Sequence, residues 1–181
     1  MQWGWNHNPD PVNWSLNKKP GSLRLTTGKV VSDLTMARNT LTQKPFAKRD
    51  QTIPTIAVIK MDAGNMKEGD IAGLAVFQDP YAYIGVKQTN GSKYIIMVNN
   101  NKPVDSVAIK NSIVYLRTIA SNASKRASFE YSFDNKTYKP LGNELTMQFN
   151  LKIFTGNKFC LFNYATEKTG GYVDFDWFRV E

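Results

Sequence analysis

The chain has 181 residues, enough for one ordinary domain of roughly 100–200 residues with a sizeable core, so residues 1–181 are read as a single unit. Hydrophobic residues make up 41% and aromatics 12%, which excludes a disordered chain, while a mean hydropathy of −0.41 implies a well-solvated surface. The net charge of +8 would suit nucleic acid, but the basic pairs Lys18-Lys19, Lys48-Arg49 and Lys125-Arg126 are scattered through turn-like segments, so no nucleic-acid partner is expected.

At the N-terminus, "QWGWNHNPDPVNWSL" gathers Trp3, Trp5, Trp14 and His7 among Asn6, Asn8 and Asn13. Trp3 and Trp5 alternate as a first strand would, and "NHNPD" leaves that strand as a polar turn. The expected strands follow in order: "SLRLTT", "TIPTIAVIKM", "DIAGLAVFQ", "YAYIGVKQ", "KYIIMVNN", "IVYLRTIA", "ASFEYSF", "LTMQF", "KFCLFNYA" and "GYVDFDWFRV", all rich in β-branched and aromatic residues. Between them lie turn signals at Asp79-Pro80, in "TNGS" (89–92) and in "FDNKT" (133–137), of which Asn90-Gly91 is the firmest hairpin signal. Long helical periodicity is absent. Ten or more antiparallel strands in one domain need two packed sheets, so the expected fold is an all-β, two-sheet antiparallel jelly-roll sandwich.

Alternation assigns the faces. In "RASFEYSF", Phe129, Tyr131 and Phe133 share one side and Ser128, Glu130 and Ser132 the other, as in a half-buried strand. In "YAYIGVK", Ala82, Ile84 and Val86 supply a core face, yet the opposite face carries Tyr81, Tyr83 and Gly85 where polar residues belong. The preceding strand likewise sets Leu74 and Val76 against Gly73, Ala75 and Phe77. Two readings stay open. The face is a ring-walled groove on which Phe77, Tyr81 and Tyr83 stack against sugar rings, or a loop covers it and the tyrosines are packing. For the first reading, Arg38 and Gln43 in "MARNTLTQKPF" (36–46), with Asn6 and His7, are the candidate donors and acceptors for sugar hydroxyls. For the second, Arg38 pins a loop by an ion pair and His7 is a hydrogen-bonded structural residue.

No apolar run approaches the roughly 20 residues of a membrane helix, and no basic-then-apolar leader is present, so a soluble, mature chain without a membrane partner is expected. The aromatic sequence directly after Met1 suggests a cut from something longer. Ser-His-Asp or Cys-His catalysis would have to use His7, the only histidine, and no G-x-S-x-G pattern occurs. The single Cys160, inside "KFCLFNY", excludes an internal disulfide and reads as a small buried hydrophobe. Asp174 and Asp176 are the closest carboxylate pair, about 7 Å apart along a strand, a spacing that also fits a glycosidase acid–base pair. Their face continues as Phe178 and Val180, which places them at the edge of a core. There a structural Ca²⁺, with Asp176 the main ligand, Asp174 beside it and backbone carbonyls supplying the rest, competes with ion pairs to Arg or hydrogen bonds to loop amides.

Together "WGWNHNPDPVNWSL", "KPGSLRL", "ARNTLTQK", "GDIAGLAVFQ", "YIGV", "ASFEYSFDNKTYKPLG" and "GNKFCLFNYATEKTGGYVDFDWFRV" resemble, in order and spacing, one kind of domain. It is the C-terminal β-sandwich of glycoside hydrolase family 43 β-xylosidases and α-arabinofuranosidases, a concanavalin A-like module also classed as carbohydrate-binding module family 91. The resemblance covers residues 2 to 181. It implies a non-catalytic domain of a secreted, periplasmic or extracellular enzyme whose catalytic carboxylates sit on an N-terminal five-bladed propeller absent from this chain. The implied partners are that propeller and xylan or arabinoxylan oligosaccharides. Trp3 and Trp5 then close either the sandwich or the inter-domain seam, and Phe154 is the candidate loop aromatic at the rim of the active site. The terminal "DFDWFRV" is also similar to the last strand of concanavalin A-like glucanases, whose calcium-binding Asp corresponds to Asp176. Ser22 and Lys44 depart from residues common in the family, a bulky residue and Arg.

Overall fold

Turn geometry sets the register of the sheets. Asn90 (φ 51°) and Gly91 (φ 70°) both adopt left-handed backbone, the conformation of a two-residue type I′ hairpin, so Thr89 lies opposite Ser92. Asn100 (φ 50°) and Asn101 (φ 62°) repeat the device one hairpin later. The computed structural model describes residues 2–43, 50–151 and 155–181. In chain order its strands are β1 Trp3–Trp5, β2 Trp14–Ser15, β3 Leu23–Thr26, β4 Leu41–Gln43, β5 Thr55–Asn65, β6 Asp70–Phe77, β7 Ala82–Thr89, β8 Ser92–Asn99, β9 Lys102–Ile109, β10 Ile113–Ser121, β11 Arg126–Ser132, β12 Lys139–Pro140, β13 Leu145–Thr146, β14 Lys158–Ala165 and β15 Tyr172–Val180. Short 3₁₀ turns span Pro11–Asn13 and Leu34–Met36, each opened by an aspartate, Asp10 or Asp33, whose carboxylate accepts a backbone N–H two residues on.

The strands form a seven-stranded sheet, ordered β1-β4-β14-β6-β7-β8-β9, and an eight-stranded sheet, ordered β12-β11-β10-β5-β15-β3-β2 with β13 paired to β11. Every strand pairing among the described residues is antiparallel. The two-sheet sandwich of the sequence reading is therefore the observed fold. Strand β5 shows why the sheets pack: Ala57, Ile59, Met61 and Ala63 point inward and are fully buried, while Lys60 and Asp62 point out. The inward residues of both sheets, among them Leu74, Ile84, Leu116, Phe129, Phe159 and Phe175, join one continuous core. The expected "LTMQF" strand shrinks to Leu145–Thr146, and Phe133 is 41% exposed rather than on the buried face. Strand β9, not expected from the sequence, is an exposed sheet edge carrying Pro103 and charged residues, the composition that keeps an edge from pairing further.

The centre of the seven-stranded sheet, strands β14, β6 and β7, is buried on both faces. All eight residues of β6 are buried. On its outer side Ile71, Ala75, Phe77, Tyr81, Tyr83, Cys160, Phe162 and Tyr164 form a second apolar cluster beneath Leu34 and Ala37, with Val31 packed against it. The covering segment is tied down by Val31 N–H to Ala165 O (2.9 Å) and by the ring Nε2–H of His7 to Thr35 O (2.9 Å). Tyr81 and Tyr83 stack with ring centroids 6.4 Å apart, and the hydroxyls of Tyr83 and Tyr164 meet at 3.1 Å. Burial pushes the phenols of Tyr81, Tyr83 and Tyr164 and the Cys160 thiol up from their ordinary pKa values. Gly73 and Gly85 face each other across β6 and β7, where a Cβ on Gly73 would stand 2.3 Å from Ile84 O. These glycines allow close strand approach rather than hollowing a groove.

Two outcomes follow. Tyr83→Ala removes a buried ring and is expected to lower stability in urea unfolding by about 3–5 kcal/mol, where an exposed tyrosine would cost well under 1. Asp70, fully buried, accepts Lys67 N–H at 2.7 Å through Oδ2, has no partner for Oδ1, and burial pushes its pKa up from 3.8 to about 6. The native state keeps this proton after the unfolded chain has lost it. Its stabilising contribution is therefore complete below about pH 3.8 and gone above about pH 6, a loss of about 3 kcal/mol. Thermal melts of Asp70→Asn between pH 4 and 6 should lose that slope.

Candidate functional site

The aromatic N-terminus closes one open side of the sandwich. Strand β1 extends the seven-stranded sheet by pairing with β4, while β2 extends the other sheet by pairing with β3. Their tryptophans consequently meet across the gap: Trp5 and Trp14 lie 5.5 Å apart, and Trp3 packs edge-on to Phe178 at 4.8 Å. All three are half-buried against the core. They leave an open, mainly apolar cleft of about 560 Å³, bordered also by Leu16, Leu41, Leu161 and Phe175. Leu16 remains 59% exposed.

Strand β15 corrects the expected face of the carboxylate pair. Its pairing with β5 is irregular between Phe175 and Trp177, which shifts the alternation by one residue. Val173 and Phe175 point into the core before this bulge and Phe178 and Val180 pack on it afterwards, so Asp174 does not share their face. Asp174 is buried and held bidentately by Arg24, at 2.7 and 3.0 Å, with Lys19 at 3.4 Å. Asp176 is exposed and bonds Lys60 at 2.6 Å. The ion-pair alternative is the one realised. Both carboxylates are thus engaged by cations, which a calcium ion would have to displace, and no group of three or more His, Cys, Asp or Glu gathers among the described residues. Nor do the two aspartates flank a common cleft, as a glycosidase pair must: Asp176 borders the tryptophan cleft and Asp174 does not.

The proposed stacking residues are corrected as well. Phe77, Tyr81 and Tyr83 are 2%, 4% and 3% exposed beneath the covering segment and cannot receive a sugar ring in this arrangement. Gln43 sits at the β1–β4 edge, opposite Trp3 and apart from Arg38, and Asn6 is fixed through its backbone to Thr40 O. Phe154 and Lys44 lie outside the described residues. On the outer side of the eight-stranded sheet two half-buried rings are occupied in turn, Arg179 lying over Trp177 and Arg117 over Tyr138.

Arg38 and His7 do come together, on the rim of a cleft beside the covering segment that Asn8, Lys29 and Met36 also line. Lys29 and Arg38 also border a second pocket, of about 260 Å³, lined by Asp10, Asn13, Asn39 and Asn163. Asp10 organises it: its N–H donates to Asn39 Oδ1 at 2.7 Å, Asn39 Nδ2 returns a bond to Asp10 O at 3.1 Å, and Asn13 Nδ2 donates to Asp10 Oδ2 at 2.8 Å. Asn39 is 3% exposed with φ 53°, a left-handed conformation that asparagine tolerates. At Gly28 a Cβ would fall 2.1 Å from Asn13 Nδ2, so the glycine makes room for that amide. Asn163 projects between the sheets and donates Nδ2 to Leu25 O at 2.8 Å, leaving its buried Oδ1 without a partner. The sequence reading missed Asp10, Asn13, Lys29 and Asn163. The legible signal was Asn163 itself, an amide on the inward phase of the apolar run "KFCLFNYA".

Comparison with known proteins places this geometry. Residues 1–181 match the family model of the β-xylosidase C-terminal concanavalin A-like domain. A curated β-xylosidase from Formosa agariphila is 34% identical over 204 residues, covering 100% of this chain and 33% of that protein. A solved structure of a bifunctional GH43-CE protein from Bacteroides eggerthii superposes with a TM-score of 0.93 at 42% identity, over 99% of this chain and 23% of that one. A GH43 glycoside hydrolase engineered to display both endo-xylanase and exo-arabinofuranosidase activity gives 0.89 at 30% identity, over 99% and 38%. The chain thus spans well under half the length of each of these relatives. By sequence and by fold, it belongs to the family of β-xylosidase C-terminal concanavalin A-like domains.

Proposed function

We propose that this chain serves as the non-catalytic accessory domain of a family 43 glycoside hydrolase acting on xylan or arabinoxylan, that it supports the catalytic propeller, and that it binds xylose-containing chains. The observation that carries the reading is the full-length match to a domain that is C-terminal in β-xylosidases, at only a third of a relative's length. The tryptophan cleft supports the supporting role. An open apolar surface bearing Trp3, Trp5 and Leu16 at the start of the domain is suited to bury against the chain that precedes it in such enzymes. Phe154 stays with Trp3 and Trp5 as an inter-domain candidate.

Quenching of tryptophan fluorescence by acrylamide tests the seam. The 181-residue chain should be quenched more strongly than the same tryptophans in a complete enzyme, and equal quenching would remove the cleft from the interface. Isothermal titration of the chain with xylo-oligosaccharides and soluble xylan tests glycan binding. Heat that saturates supports it, whereas its absence with every glycan leaves a purely structural domain.

A further inference from the structure

We infer that the pocket between Asp10, Asn13, Lys29, Arg38 and Asn163 is a subsite for a single neutral sugar residue, recognised through adjacent hydroxyls. The inference rests on the glycan-binding reading above and gives it a location other than the tyrosine face. At about 260 Å³ the pocket lies just below the range of drug-sized ligand sites and suits one sugar ring.

The donors and acceptors on its walls decide the ligand class. Lys29 and Arg38 present cationic donors, and neither forms an ion pair with a carboxylate among the described residues. The same lining includes acceptor-bearing residues: Asp10, with its carboxylate, and Asn163, whose amide is oriented by its bond to Leu25 O and whose buried Oδ1 has no partner. A phosphate or carboxylate ligand could satisfy the cations but would set acceptor against acceptor at Asn163 and charge against charge at Asp10. A hydroxyl donates and accepts at once. Two neighbouring hydroxyls can accept from Arg38 or Lys29 while donating to Asp10 or Asn163. Ala37 and Tyr164, also in the lining, supply apolar surface for the ring's C–H groups.

The pocket is also built in advance of any ligand. The reciprocal bonds between Asp10 and Asn39, the Asn13 amide seated against Gly28, and the cross-sheet bond of Asn163 all exist in the free chain. Such preorganisation lowers the ordering cost of binding a small polar molecule.

The test is an NMR titration of the 181-residue chain with methyl β-xylopyranoside, methyl α-arabinofuranoside and xylobiose, with sodium phosphate and glucuronate as anionic controls. Saturable shifts by a neutral glycoside at residues 10–13, 28–29, 37–39 and 163 are expected. Arg38→Ala, an exposed site, should weaken binding at least about tenfold without altering the melting temperature. Shifts produced by the anions alone would overturn the inference in favour of an anion site. If soluble xylan binds the wild-type chain and Arg38→Ala equally, with no shifts at the pocket, the subsite is wrong and the glycan reading survives. If neither xylan nor any glycoside binds, both fall together.

Discussion

A sheet that is apolar on both faces must be covered on both, and the centre of the seven-stranded sheet, at β14, β6 and β7, is such a surface. The eight-stranded sheet covers its inner face; among the described residues, the segment around Leu34 and Ala37 closes its outer face. From this one requirement come the stacked Tyr81 and Tyr83, the close approach of β6 and β7 at Gly73 and Gly85, and the His7 bond that holds the cover to the N-terminal loop. The aromatic surface that suggested a sugar platform is therefore the floor of a second core. Placing tyrosines rather than phenylalanines there leaves hydroxyls to satisfy, and they satisfy one another and Asn101 at the rim.

Strand β15 shows a different constraint. It lies between β5 and β3 in the middle of the eight-stranded sheet, where one face must stay apolar along the whole strand. Its sequence does not alternate strictly, and the irregularity at Phe175–Trp177 restores the phase by taking up one residue. Asp174 is turned to the outer face, where it can collect Arg24 and Lys19, and Arg24 in turn lies over Tyr172. A buried carboxylate with a bidentate guanidinium has its lone pairs already spoken for.

The two-sheet architecture was legible because it rests on local signals. Alternation placed Ala82, Ile84 and Val86 in the core, and Asn90-Gly91 announced its hairpin through the backbone conformation those residues tolerate. What could not be read locally depended on distant partners. Period-two patterning says that Tyr81 and Tyr83 share a face but is silent on whether residues some fifty positions earlier come to lie on it. A bulge inverts every later assignment on its strand, which is why Phe178 was placed beside Asp174. The candidate site divides in the same way. Arg38, singled out in a short polar stretch, and His7, in the tryptophan-rich one, do share a cleft, whereas Gln43, five positions from Arg38, is carried to another edge by β4. Asp10, Asn13 and Asn163 come together only once β14 and the N-terminal loop are in place.

The fold thus leaves two openings of opposite chemistry. On the side closed by β1 and β2, the tryptophans face one another over apolar walls, a surface whose most favourable state is burial. Beside the covering segment, the pocket offers fixed amides, a carboxylate and two cations, groups that gain little from an apolar partner and would lose hydrogen bonds to one. A protein surface suits the first opening and a hydroxylated ligand the second. Because the His7 loop lies between β1 and the cover, the same short stretch of chain borders both: Trp3 and Trp5 at one end, Asp10 and Asn13 at the other. A domain packed through its tryptophans would hold the ends of that loop fixed, and with them the geometry of the polar pocket.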